Sequence, residues 1–270
     1  MQNKKKILPE IYNFLRPKQT KNLKRFGIKK DGGYVLEITA LSRVSHLVSF
    51  GMADEFSFEI DFLKYNNKNT LQIYDHTVSH KNYFLKILKI LRRIISFRNN
   101  PKKLIFPILR YYNFLKFINN KKVNLFTLKI TGQIAEKKNI NIDKVFSLLD
   151  KSIDKIGLKI DIEGDEYKIL DNVIEKSNRI NFLIIEFHNI EENKKIFFTH
   201  MDKLIKIFDI IHIHGNNHEF ILPDGFPNVI EVSLVNKKNN LIYTKYPTSF
   251  PIEGLDYPNN PASPDIEINF

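Results

Sequence analysis

The residues best able to do chemistry fall into three short pairs. Asp161-Ile-Glu163-Gly164, Glu186-Phe-His188 and His212-Ile-His214 each set two ionisable side chains two residues apart. In an extended strand that spacing puts both on one face. Each pair lies at or just past an apolar run: 157–162 (GLKIDI), 181–187 (NFLIIEF) and 209–213 (DIIHI). Burying this many ionisable groups is costly unless they are paired or hold a cation. One His on an apolar strand is ordinarily a satisfied core residue. Three pairs in register point to a divalent metal site, with an unmetallated acid/base cluster as the alternative. Carboxylate and imidazole donors without thiolate suit Fe²⁺, Mn²⁺ or Mg²⁺ with open positions. The expected ligands are Asp161, Glu186 and His214, one from each strand end. His188 and His212 are the expected general base or orienting partners, because imidazole titrates near neutrality.

The elements that must position these residues follow from hydrophobic runs. Besides the three named, apolar segments at 45–51, 70–75, 124–130 and 229–235 read as strands. Segments 165–173 and 196–208 carry helical spacing. Buried strands alternating with helices predict an α/β fold, a mostly parallel sheet covered on both faces. The pair 209–213 and 229–235 reads as hairpin-like, placing an antiparallel strand at one side. Ligands of such sheets bind beyond the carboxyl ends of the strands. The first strand ends Phe50-Gly51-Met52-Ala53-Asp54, where Gly51 would let the backbone approach a ligand; a plain tight turn is the alternative. The second ends Asp75-His76. An acid there could hold both hydroxyls of a ribose, or could be a helix cap or a solvated acid. His46 and His200 receive no role.

Composition narrows the partners. The chain has 270 residues, 31.9 kDa and no Cys. Disulfides, thiolate metal sites and a Cys nucleophile are therefore excluded. Lys and Arg number 42 against 30 Asp and Glu, a formal +12. Residues 81–122 hold 12 Lys and Arg and no acid, so the whole surplus equals the charge of one segment. That segment has basic amphipathic spacing over 82–97 and a second helical piece over 104–118. The expected organisation is one domain over 1–270, a basic helical insertion at 81–122 and an extended Pro-rich arm at 246–270. Neither a signal peptide nor a bilayer-spanning run is visible, so the expected compartment is the cytoplasm.

Several segments resemble FkbM-like S-adenosylmethionine-dependent methyltransferases. They are residues 25–36 (RFGIKKDGGYVL), 49–59 (SFGMADEFSFE), 74–77 (YDHT), 158–166 (LKIDIEGDE), 185–188 (IEFH), 212–217 (HIHGNN) and 255–261 (LDYPNNP). Together they span roughly residues 23–262, and the insertion departs from the pattern. The set is most similar to metal-dependent members of bacterial capsule and lipopolysaccharide clusters that act on sugar nucleotides such as GDP-heptoses. The resemblance implies a seven-stranded Rossmann-like class I methyltransferase fold. It implies S-adenosylmethionine against Tyr34, Phe50, Gly51, Asp54 and His76, with Asp75 on the ribose. Ala53 stands where such turns commonly have a second glycine.

The resulting expectation is metal-dependent O-methylation of a sugar-nucleotide hydroxyl, with Asp161 also among the catalytic residues. A nucleic-acid methyltransferase is the rival enzyme; it would use the basic surplus, but the Asn/Asp-Pro-Pro-aromatic motif of base-amino methyltransferases is missing, so no nucleic-acid partner is expected. A non-enzymatic scaffold on a membrane surface is the third reading. Peripheral membrane contact or a homodimer would use the basic insertion.

Overall fold

The computed structural model describes residues 7–96, 100–133, 137–244 and 247–270. Its centre is a sheet of seven strands: β1 (His46–Phe50), β2 (Thr70–Tyr74), β3 (Val123–Phe126), β4 (Ile156–Ile160), β5 (Ile180–Phe187), β6 (Phe208–Gly215) and β7 (Ile230–Asn236). Their spatial order is β3-β2-β1-β4-β5-β7-β6. Only β7 runs antiparallel to its neighbours. This is the seven-stranded Rossmann-like arrangement anticipated above.

The strands are near-continuous apolar runs because both faces are covered. All eight residues of β5 are buried. Alternate side chains feed two cores. Val48, Leu158 and Ile185 join Phe197 and Phe226 on one face, while Leu47, Leu71 and Ile184 join Phe58 and Phe62 on the other. Helix α1 (Ser57–Tyr65) supplies the second face and helix α4 (Ile190–Ile207) the first.

Several expected boundaries shift. The third strand stops at Phe126, and Lys129–Ile130 pairs separately with Asn139–Ile140. Segment 165–173 divides into a 3-10 turn (Glu166–Lys168) and a short helix (Leu170–Glu175). Helix α4 starts six residues before the expected 196, at Ile190. The antiparallel pair does lie at one side of the sheet, with β7 inserted between β5 and β6 and β6 at the edge. Every β7 residue is buried, which suits a strand paired on both edges.

The insertion forms helices α2 (His80–Ile95) and α3 (Ile105–Ile118) between β2 and β3. Ser79 caps α2, its hydroxyl accepting from the Asn82 N–H. Stacking of Tyr83 on Phe114 at 4.6 Å joins the two helices to each other, and Phe56 stacking on Phe117 at 4.9 Å attaches the hairpin to the domain. Phe97 and Arg98 of the insertion, and Tyr246 at the start of the arm, lie outside the described residues. The rest of the arm crosses the sheet's carboxyl edge, held where Asn217 Nδ2 donates to the Asn260 and Pro264 carbonyls. A separate antiparallel pair, Leu23–Phe26 with Tyr34–Glu37, brings Asp31 and Tyr34 to the same edge. No helix among the described residues is long and apolar enough to cross a membrane.

Candidate active site at the carboxyl edge of the sheet

The sheet register explains which predicted residues meet. Ile160 pairs with Ile185, so Asp161 and Glu186 emerge side by side at the ends of β4 and β5. Glu186 faces Glu231 on β7, and Glu231 faces His214 on β6. The edge therefore carries a row in the order Asp161, Glu186, Glu231, His214. Neighbouring strands lie about 4.8 Å apart, so the intervening β7 puts His214 about 10 Å from Glu186. The three pairs sit on strands that are not all adjacent, so this register keeps His214 apart from Asp161 and Glu186.

Asp161, Glu186 and His188 do converge: one donor atom from each lies within 4.8 Å of the others. His188 Nδ1 bonds the fully buried Glu166 carboxylate, leaving Nε2 facing Glu186 Oε1 at 3.9 Å and Glu163 Oε2 at 3.7 Å. A carboxylate on one ring nitrogen with the other turned to a donor cluster is the usual support for a metal-binding imidazole. Tyr34 donates its hydroxyl to Asp161 Oδ2 at 2.9 Å and lies 3.2 Å from Glu186 Oε2. Asn216 donates to the other Glu186 oxygen at 2.7 Å. Burial, then the charges of Asp161 and Glu231, push the Glu186 carboxyl far above its ordinary range. Burial alone would lower the His188 pKa, but the Glu166 bond and the surrounding carboxylates raise it to about 10. Two oxygen donors, one nitrogen donor and crowded like charges fit a divalent cation.

His214 is occupied elsewhere. Its Nε2 lies 3.0 Å from Asp265 and its Nδ1 3.4 Å from Glu231. A second acidic group, Asp31, Glu186 and Glu231, shares Glu186 with the first. His212 pairs with Asp256 of the arm at 2.9 Å and packs against Phe250. Neither His212 nor His214 is placed beside Asp161 by this register.

The glycine turn differs from its expected use. Gly51 has φ +74°, and a Cβ there would stand 1.6 Å from the Asp161 carbonyl oxygen. The need for glycine comes from the chain's own backbone, because the residue leaving β4 passes directly against it. Ala53 takes the left-handed conformation, φ +49°. Asp75 holds the turn: Oδ2 accepts from the Met52 and Ala53 N–H groups at 2.9 and 2.8 Å, and Oδ1 accepts from the Thr77 N–H and hydroxyl. Burial opposes ionisation, but these bonds win and hold the Asp75 carboxyl below its usual range. Both oxygens are committed, so Asp75 shapes the cleft rather than offering a free carboxylate. Phe50 is completely buried against Tyr74 and does not line the cleft, and its carbonyl accepts from the Asp161 N–H. Asp54 turns away to Lys86 and Arg110 of the insertion. His76 is exposed at the mouth.

A cleft of about 370 Å³ opens here, between the ends of β1, β2 and β4. Gly51, Asp75, Asp161 and Glu163 supply its polar wall, and Tyr74, Leu128 and Ile130 its apolar wall. Its size is that of a small-molecule site, and it lies where the strand order reverses. A larger hollow of about 580 Å³ lies between α1 and α3. Its Asp54, Glu55 and Arg110 are engaged with one another.

Four residues in the site were not anticipated. Lys159 is buried beside Asp161 and donates to the Gly51 carbonyl at 2.6 Å. Burial would lower its pKa, but Asp161 and Glu59 raise it. Glu59, on α1 and fully buried, accepts from Ser49 at 2.7 Å. A Lys inside the run GLKIDI was the available signal, since it shares a face with Asp161. Glu166 sat in the quoted segment 158–166 without a role, and Glu231 was hidden inside an otherwise apolar strand.

No family model and no curated protein matches the chain. Among solved structures it is similar to the Methanococcus jannaschii fibrillarin pre-rRNA processing protein, at 10% identity and a TM-score of 0.38, covering 80% of this chain and 71% of that one. It is also similar to a precorrin-6y C5,15-methyltransferase from Geobacter metallireducens, at 11% identity and a TM-score of 0.36, covering 74% and 87%. A third is an O-methyltransferase from neocarzinostatin biosynthesis, in complex with S-adenosylmethionine, at 8% identity, TM-score 0.34, covering 74% and 52%. No residue role is carried across these likenesses.

Proposed function

We propose that the protein is an S-adenosylmethionine-dependent O-methyltransferase that methylates a hydroxyl of a sugar nucleotide, such as a GDP-heptose, with a divalent cation held by Asp161, Glu186 and His188. The observation that carries this reading is the convergence of those three side chains beside the Gly51 cleft at the sheet's switch point. The motif resemblance supports the donor and the acceptor class.

In this reading the cleft takes the cofactor, with its backbone-clasped turn (Gly51 to Ala53) against the ligand and its apolar wall against the adenine. A bound divalent cation would supply Lewis acidity, lowering the pKa of the acceptor hydroxyl. Glu166 fixes the His188 ring so that Nε2 faces the cluster, and Tyr34 and Asn216 fix the Glu186 carboxylate. Lys159 offsets the Asp161 charge from beneath the site. Glu163 reaches the exposed mouth beside His188 and is the group positioned to accept the hydroxyl proton.

The test is incubation with S-adenosylmethionine, Mn²⁺ and a panel of sugar nucleotides, read by mass spectrometry. A gain of one CH₂ on a sugar nucleotide is expected, with loss of turnover in the Asp161→Ala variant and after chelation. Full activity of either would overturn the metal assignment. Methylation of nucleic acid instead would overturn the acceptor class, and absence of S-adenosylmethionine binding would overturn the enzyme reading.

A further inference from the structure

We infer that the insertion hairpin is a docking surface for an anionic lipid membrane. Between His76 and Ala135 the chain has no Asp or Glu. The hairpin uses one face to hold the domain, burying Tyr83, Phe114 and Phe117. Its other side chains leave a large apolar surface uncovered. Phe106 is 82% exposed and Ile95 75%, with Phe84, Leu85, Ile108 and Leu109 near half exposed. Lys81, Lys89, Arg92, Arg93 and Lys102 are exposed on the same two helices and the turn between them. Soluble monomers rarely expose apolar side chains in such number on one element.

Charge decides the occupant. A second copy docking through this face would set two acid-free cationic surfaces against each other, which repels. A nucleic acid would satisfy the cations, and an unpaired base could stack on Phe, but it gives no apolar environment to exposed Ile95, Leu85, Ile108 and Leu109. An anionic bilayer surface takes both: the apolar residues enter the headgroup boundary and the Lys and Arg side chains meet lipid phosphate. The hairpin is tied to the glycine turn through Asp54, which pairs with Lys86 and Arg110. Docking would therefore hold the cleft close to the bilayer. The inference stands on the hairpin alone and does not depend on the metal or the acceptor proposed above.

Sedimentation of the full chain with vesicles tests it. Binding is expected to vesicles containing phosphatidylglycerol and not to pure phosphatidylcholine, and to weaken as salt rises. The double variant Phe106→Ser/Leu109→Ser should bind roughly tenfold more weakly, with unchanged thermal unfolding. Arg92→Gln/Arg93→Gln should weaken binding by a similar factor. Equal binding to both vesicle types would overturn the inference. So would indifference to Phe106→Ser/Leu109→Ser, the result expected of simple adhesion to any polyanion such as duplex DNA. A dimer in solution that Phe106→Ser/Leu109→Ser dissolves would assign the surface to a second copy instead.

Discussion

The two ends of the central sheet treat histidine in opposite ways. At the amino end, His46 opens β1 with a hydrogen bond to Thr70 and, among the described residues, no carboxylate paired with it. Burial drives its pKa down to about 4, so it is held neutral. At the carboxyl end, His214 is also buried and His188 is largely so, and burial alone would act in the same direction. Glu166, Asp265 and their neighbours reverse the outcome and raise both to about 10. The side chain and the burial are alike; the difference is an excess of carboxylates. Such an excess is costly in a folded interior unless a cation offsets it, so it marks the edge where a ligand belongs.

The largest effect expected tests the geometry on which that edge rests. Gly51→Ala forces a Cβ into the Asp161 carbonyl and a left-handed φ on alanine. A loss of about 3 kcal/mol or more in urea unfolding is expected, with loss of cofactor binding.

The amino end offers the next. The unfolded chain protonates His46 near its ordinary pKa, about 6.5, while the folded chain resists until about 4. The unfolded state then binds more protons between those values, so stability falls as pH falls through that window. The contribution is at most about 3 kcal/mol by linkage. His46→Gln should flatten this acid limb of the stability–pH curve. An unchanged limb would show that His46 is not neutral in the fold.

At the carboxyl end the sign reverses. His214 has a raised folded pKa, so its stabilisation is present below about pH 6.5 and is lost as pH rises toward about 10. Removing a carboxylate from the row should relieve repulsion. Glu186→Gln is expected to leave the metal-free protein as stable as before or more stable by about 1 kcal/mol, while abolishing the stabilisation that Mn²⁺ gives the parent. Thermal unfolding with and without Mn²⁺ reads both halves. A Glu186→Gln protein still stabilised by Mn²⁺ would break the comparison. The smallest effect is the control: Arg92→Gln/Arg93→Gln, on the exposed face of the hairpin, should change stability by less than about 0.5 kcal/mol.

Much of this was legible in the chain alone. The apolar runs located all seven strands of the sheet to within a few residues, because strands covered on both faces must be apolar throughout. The i, i+2 pairs marked the carboxyl edge as the crowded one, although only the pair His212 and His214 lies wholly within a strand; Asp161 follows β4, Glu163 sits in a turn with φ +57°, and His188 follows β5. The acid-free stretch named the insertion, since charge is simply counted. Strand order was beyond reach. That β7 lies between β5 and β6 is a long-range pairing, and it separates His214 from Asp161 while bringing Glu231 into the row. The same holds for Gly51, whose requirement comes from Asp161, and for Asp75, whose oxygens are claimed by N–H groups more than twenty residues away as well as by nearby Thr77. Side-chain type and spacing state what chemistry a segment can offer. Which segments become neighbours depends on hydrogen bonding between strands distant in the chain, and that alone selected His188, with Asp161 and Glu186, as the converging group.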